Sequence, residues 1–146
     1  MKDLEHIINR AKDQFTDIPF DQWAIKPAPG KWSKKEILGH LVDSARNNLQ
    51  RFTEIVHGES PYQVSPYNQD QLVVANHYQT EPIELIIDLW VATNLHISFI
   101  MGRQSPKHLA LPLILPDGKP SDLKWLMDDY IDHLEHHLNQ IFGISS

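Results

Sequence analysis

The stretch Ile83–Met101 constrains this chain more than any other, because it is apolar on nearly every face, with Leu85, Ile86, Ile87, Leu89, Trp90, Val91, Leu95, Ile97, Phe99 and Ile100. A helix with no polar face to offer water is expected to be buried all round. In a chain of 146 residues that leaves two arrangements: the central helix of a bundle, or a helix that also meets a second subunit. Two-fold homo-oligomers are common, so a homodimer is expected as readily as a monomer. No uninterrupted apolar run approaches the roughly 20 residues of a membrane span, and a membrane location is not expected.

The remaining segments supply partners for that helix. Leu4, Ile7, Ile8, Ala11, Phe15 and Ile18 recur at spacings of three and four, which predicts an amphipathic first helix ending before Pro19. Residues 21–31 carry Pro27, Pro29 and Gly30 and read as a loop. Ser33-Lys34-Lys35-Glu36 has the form of a capping box, so a long second helix starts near Ser33. It runs to about His57, where Gly58 closes it and Pro61 prevents continuation. Residues 59–80 show no sustained period beyond a short helical turn over Asp70–Asn76. Thr80-Glu81-Pro82 then starts the apolar helix, with Thr80 as N-cap and proline in the first turn. Residues 102–120 form a long connection through Pro106, Pro112, Pro116 and the turn Asp117-Gly118; Ser121 caps the last helix and Gly143 lies just past its end. Four helices with long crossover connections make an all-α four-helix bundle, one domain over residues 1–146.

Composition narrows the function. A hydrophobic fraction of 41% with 22% charged residues is that of a soluble globular protein. The net charge of −6 argues against nucleic acid, whose binding needs clustered Lys and Arg. The one basic cluster, Lys31, Lys34 and Lys35, reads as a solvated helix start. With no Cys there is no disulfide framework, thiolate metal site or cysteine nucleophile, so any metal must be held by His, Asp or Glu. The segment Met1-Lys2-Asp3-Leu4-Glu5-His6 has neither an apolar secretory core nor a cleavage site, and a cytoplasmic location is expected.

Chemistry concentrates on two helices. His133 and His137 are four residues apart, which stacks both imidazoles on one face, in a sector shared with Leu126, Tyr130 and Ile144. Nine histidines in this length give about 0.5 such pairs by chance, so the pair alone is no signature. On the second helix His40, Ser44, Asn47 and Arg51 fall within about 60° of one another and border the apolar residues Ile37, Leu41, Ala45, Phe52 and Ile55. Such a stripe suits the lining of a pocket. Three neutral imidazoles from two helices would hold a divalent cation and leave positions open for chemistry. Gln140 sits near the histidine sector, able to orient a ligand or a substrate. His136 projects about 100° away from His137, on the side of Asp129, and is excluded as a ligand. His96 reads as a core histidine satisfied by a hydrogen bond, and His6, His57, His77 and His108 as surface or loop residues. The other reading of the same residues is a non-catalytic bundle, its histidines structural or closing a metal site with a fourth ligand such as Asp43 or His96.

Two segments together resemble the DinB/YfiT-like superfamily of metal-dependent enzymes: Gly30-Lys31-Trp32-Ser33 leading through Glu36–Ser44 to Asn47 and Arg51-Phe52, and Asp132–Ile141. Helix order extends the likeness over nearly the whole chain. The spacing of His40, Asp43, Ser44, Asn47 and Arg51 is similar to the YfiT-like branch. In the DinB branch proper the second histidine is often followed by Arg-Gly, whereas Leu138-Asn139 stand here, so roles from that branch are not carried over. The resemblance implies a commonly dimeric bundle, a divalent metal on His40, His133 and His137, and an activity like thiol S-transfer on a low-molecular-weight thiol or like hydrolysis.

On that footing the metal would activate a thiol or a water. Arg51 is expected to grip a substrate carboxylate or phosphate, with Asn47 and Ser44 orienting it. Asp43 is expected either to accept from a histidine and fix its tautomer or to pair with a nearby lysine. Asp43, Asp70 and Glu54 are the candidate general bases, unranked by position. Imidazole ligands suit zinc, nickel, iron or copper alike.

Overall fold

In the computed structural model, which describes residues 1–144, four long helices make the bundle: α1 (Leu4–Phe15), α2 (Lys34–His57), α4 (Ile83–Met101) and α6 (Leu123–Phe142). Two short helices, α3 (Gln69–Ala75) and α5 (Pro106–Leu109), lie in the crossovers. α2 is central, packing against both α4 and α6, while α1 covers α4. The core between them includes Ile8, Phe15, Leu38, Leu41, Phe52, Trp90 and Leu134.

Local chemistry explains where the helices begin. Ser33 caps α2 as expected: its hydroxyl accepts from Glu36 N–H and the Glu36 carboxylate accepts from Ser33 N–H. α6 is capped by Asp122 and not by Ser121, the Asp122 carboxylate accepting from Trp125 N–H at 2.8 Å. Ser121 is instead drawn into strand pairing. Thr80 does not cap α4 either. Its hydroxyl donates to the His77 carbonyl in the preceding turn, and Pro82 takes the cap position with no side-chain bond. α1 stops at Phe15, one turn earlier than its apolar spacing suggests, because the Thr16 hydroxyl donates to the Asp13 carbonyl and the chain turns. Ile18, outside the helix, still packs on the core.

The crossovers hold a small sheet that periodicity did not reveal. β1 (Tyr62–Gln63) runs parallel to β2 (Pro112–Ile114), which pairs antiparallel with β3 (Pro120–Asp122). Strands of two or three residues, two of them starting at proline, are too short to show alternation. Their effect is to staple the two long connections to each other over the buried Leu113.

α4 is not buried all round. Ile83, Ile86, Trp90, Asn94, Ile97 and Met101 form its buried stripe against α1 and α2. The opposite face leaves Leu85 48%, Leu89 40%, Leu95 36% and Phe99 54% exposed. His96 also lies on the exposed side, so it is no core histidine. α4 is long and apolar enough by length and composition to cross a membrane. Yet its outward surface carries Glu84, Asp88 and His96, and its buried stripe carries Asn94, whose carboxamide accepts from the Tyr130 hydroxyl of α6.

Candidate metal centre

Three imidazoles meet where α2 faces α6. His40 is fully buried, and His133 and His137, one turn apart on α6, are half-buried. The ring centroids of His40 lie 5.3 Å from His133 and 4.8 Å from His137, and those of His133 and His137 lie 4.5 Å apart. One nitrogen from each ring falls within 4.8 Å of the other two. Nε2 of His133 and Nε2 of His137 are only 3.1 Å apart. Two nitrogens at about 2.0–2.1 Å from one cation would be separated by roughly that distance.

Burial sets the protonation of the cluster. Removal from water, aided by the potential charges of His137 and His133, holds His40 down at about 3. Burial, with His137 and His136 nearby, holds His133 down at about 4. His137 is lowered too, chiefly by burial. All three rings are therefore neutral at pH 7 and keep a lone pair. His137 Nδ1 bonds Gln140 Oε1 at 2.8 Å. Since an amide oxygen can only accept, the ring proton is assigned to Nδ1, which leaves the His137 Nε2 lone pair facing the cluster. Both His40 nitrogens are buried without a hydrogen-bond partner. A buried polar group left so is rare in a folded protein, and a cation among the three rings would satisfy one of the two. The residues present fit a divalent metal.

Beside the cluster opens a cleft of about 460 Å³ whose walls include His137, Gln140, Trp32, Lys31, Gln69 and Asp70. The Trp32 ring lies 5.0 Å from that of His40 and tilted 33° to it, so the residue just before the helix cap forms part of the roof. Trp32, Gln69 and Lys31 had no site assigned from the chain alone. The one available signal was Trp32 in the Gly30–Ser33 segment, an aromatic immediately before a cap. Beside His40 on α2 stands Gly39, where a Cβ would come within 2.2 Å of the Tyr78 ring. Only glycine lets Tyr78 lie on the α2 backbone one residue from His40.

The other candidate residues divide. Asp43 is buried, its Oδ1 accepting from Arg46 Nη2 at 2.8 Å, Asn76 Nδ2 at 2.9 Å and the Tyr78 hydroxyl at 2.6 Å. Its ionic partner is thus Arg46 and no lysine. Ser44 is buried and Asn47 donates to the Asp43 carbonyl. Arg51 donates to the Ser65 carbonyl and to Asn48 Oδ1, and its guanidinium lies over the Tyr67 ring, 5.4 Å from the centroid. Asn47 and Arg51 line a separate cleft of about 140 Å³ with Glu54 and Tyr62. Glu54 is occupied there by Gln50 and Tyr62, which hold its carboxyl below the ordinary range. Of the three candidate bases only Asp70 lines the cleft beside His137. His136 is exposed and outside the cluster.

The model of the DinB superfamily matches residues 3–141. The chain is a member of the DinB superfamily. Among curated proteins, one from Oceanobacillus iheyensis is 22% identical over 144 residues, covering 99% of this chain and 83% of its own length, and its name places it provisionally among metal-dependent hydrolases. Among solved structures, YfiT from Bacillus subtilis superposes with a TM-score of 0.81 at 19% identity, covering 97% of this chain and 85% of that one. It is described as a metal-dependent hydrolase candidate with an unusual four-helix-bundle topology. A mycothiol-dependent maleylpyruvate isomerase superposes with a TM-score of 0.68 at 12% identity over 92% of this DinB-superfamily chain and 57% of its own. At these identities the superpositions show a shared fold, and the bundle reported for YfiT is the all-α architecture found here.

Proposed function

We propose that this DinB-superfamily protein is a metal-dependent enzyme acting on a small molecule, a low-molecular-weight thiol or a hydrolysable compound, in the cleft beside His137. The observation that carries this is the meeting of three neutral imidazoles, one of them with both nitrogens unsatisfied. Bound there, a divalent cation supplies Lewis acidity, enough to bring a water pKa to about 7 or to deprotonate a thiol. His40, His133 and His137 would hold it. Zinc, nickel and iron all suit such a donor set.

The chain's own residues do the rest. Gln140 keeps His137 in the tautomer whose free nitrogen points inward. Trp32 excludes water from the His40 side of the site. Asp70 stands on the cleft wall as the acceptor for a substrate proton, and Lys31, which lines the same cleft, offers a positive charge to an anionic substrate group. Arg51 acts one cleft away, holding the segment after β1 against α2, and Asn47 lines that same cleft.

The names of the relatives support metal-dependent chemistry and divide between hydrolysis and a thiol-dependent reaction. Against a closed, purely structural site stands the membership of the cluster: among the described residues no Asp, Glu or fourth His joins the three. We further assign the outward stripe of α4 to a two-fold contact with a second copy, and the protein to the cytoplasm. The deciding experiment is elemental analysis of protein purified without a metal-affinity column, on wild type and His137→Ala. About one divalent metal per chain in the wild type, lost in the variant while its helical circular dichroism is kept, is the expected result. Equal metal content in both would remove the site.

A further inference from the structure

Histidines that bind metals almost always donate their second ring N–H to a carboxylate, a carbonyl or water, which fixes the tautomer and aims the ring. At His137 that partner is Gln140. At His40 no partner is in place, because both ring nitrogens are buried and unsatisfied. A cation can satisfy only one of them. Either the second N–H is left bare inside the protein, at the cost of a buried unmade hydrogen bond, or an acceptor stands close by.

Asp43 is in the right place to be that acceptor. It is one turn beyond His40 on α2, and residues three apart on a helix are neighbours on its surface. Helical side chains lean back toward the preceding turn, which for Asp43 is the turn that contains Gly39 and His40. The position of Tyr78 agrees, since its ring rests on Gly39 while its hydroxyl reaches Asp43 Oδ1. The two carboxylate oxygens are unequal. Oδ1 accepts three hydrogen bonds, whereas Oδ2 is buried with none. A bare donor and a bare acceptor thus occur one turn apart on the same helix.

We propose that Asp43 Oδ2 is the acceptor for the imidazole N–H that His40 keeps when its other nitrogen takes the metal. This rests on the metal centre proposed above. Asp43 is then a positioning residue with two connections. Oδ2 sets the tautomer of one ligand, while Oδ1 ties down Asn76 and Tyr78, the turn directly after α3, whose Gln69 and Asp70 line the cleft. The same carboxylate pairs with Arg46 at 2.8 Å through Oδ1, which leaves Oδ2 free to accept.

The test uses the full-length protein with zinc as the probe. Zinc affinity is measured by chelator competition on wild type, Asp43→Asn and Tyr78→Phe, with chemical denaturation of each. Asp43→Asn should bind zinc about 10–100-fold more weakly. Tyr78→Phe, which removes a donor to Oδ1 only, should lose stability with zinc affinity within about twofold. In zinc-loaded wild type with ¹⁵N-labelled histidine, His40 should show a slowly exchanging proton on one ring nitrogen, absent in Asp43→Asn. Should Asp43→Asn fail to fold, the wild-type spectrum decides, and a rapidly exchanging His40 proton overturns the proposal. Equal zinc affinity in wild type and Asp43→Asn overturns it as well. Wild type that takes up no zinc, nickel or iron overturns the metal centre itself, and this inference with it.

Discussion

Gln140 Oε1 and His137 Nδ1 are 2.8 Å apart, one turn from the end of α6. That contact decides which nitrogen of His137 carries the proton. Gln140→Ala should therefore weaken zinc binding by about tenfold or more, measured by chelator competition. Gln140→Glu, which keeps an acceptor, should restore most of it. An alanine variant with unchanged affinity would mean that the amide does not orient the ring.

Gly39 should tolerate no side chain. The Tyr78 ring would lie 2.2 Å from an added Cβ, so Gly39→Ala must push Tyr78 and its hydrogen bond to Asp43 away. Overpacking of this kind costs about 1–3 kcal/mol, readable as a lower midpoint in urea. A variant as stable as wild type would show that the turn at Tyr78 shifts freely.

The metal-free protein should lose stability in acid through its histidines. His40 and His133 are held at about 3 and about 4 in the folded state, below the ordinary value of about 6.5 for an unfolded chain. Their contribution is therefore fully present above pH 6.5. As pH falls below it, the unfolded chain gains protons that the folded one refuses, and stability declines by up to about 1.4 kcal/mol per pH unit for each histidine. The decline continues until the folded rings themselves titrate. Denaturation midpoints of wild type and His40→Asn between pH 7.5 and 4.5 check this, with a shallower slope in the variant. Parallel slopes would contradict it.

The exposed stripe of α4 should govern assembly. Leu85, Leu89 and Phe99 lie 48%, 40% and 54% exposed along one side of the helix, more apolar surface than a solvated helix usually shows. Light scattering on wild type should give twice the chain mass, and Leu89→Glu should reduce it to the single-chain mass without loss of helix. A wild type that stays monomeric at high concentration would leave the stripe without this role.

Much of the architecture was legible along the chain because the signals are local. The cap at Ser33 is a matter of four adjacent residues, and the pairing of His133 with His137 follows from one turn of helix. What escaped was non-local or in competition. Thr80 and Ser121 are both good capping residues, but one was claimed by a turn and the other by a strand. The β1–β2–β3 sheet joins segments some fifty residues apart, and nothing within either segment announces it.

The chain by itself determined four long helices, a second helix presenting His40 and a last helix presenting two further imidazoles, because helical periodicity and caps depend only on neighbours. Only the tertiary structure decided that α2 and α6 lie side by side with those rings in contact, that Arg51 turns to Ser65 and Tyr67 and away from the histidine cluster, and that α4 keeps one apolar face in the open. Each of these depends on which surfaces meet across long loops, and packing, unlike periodicity, cannot be read from residues that are adjacent only in sequence.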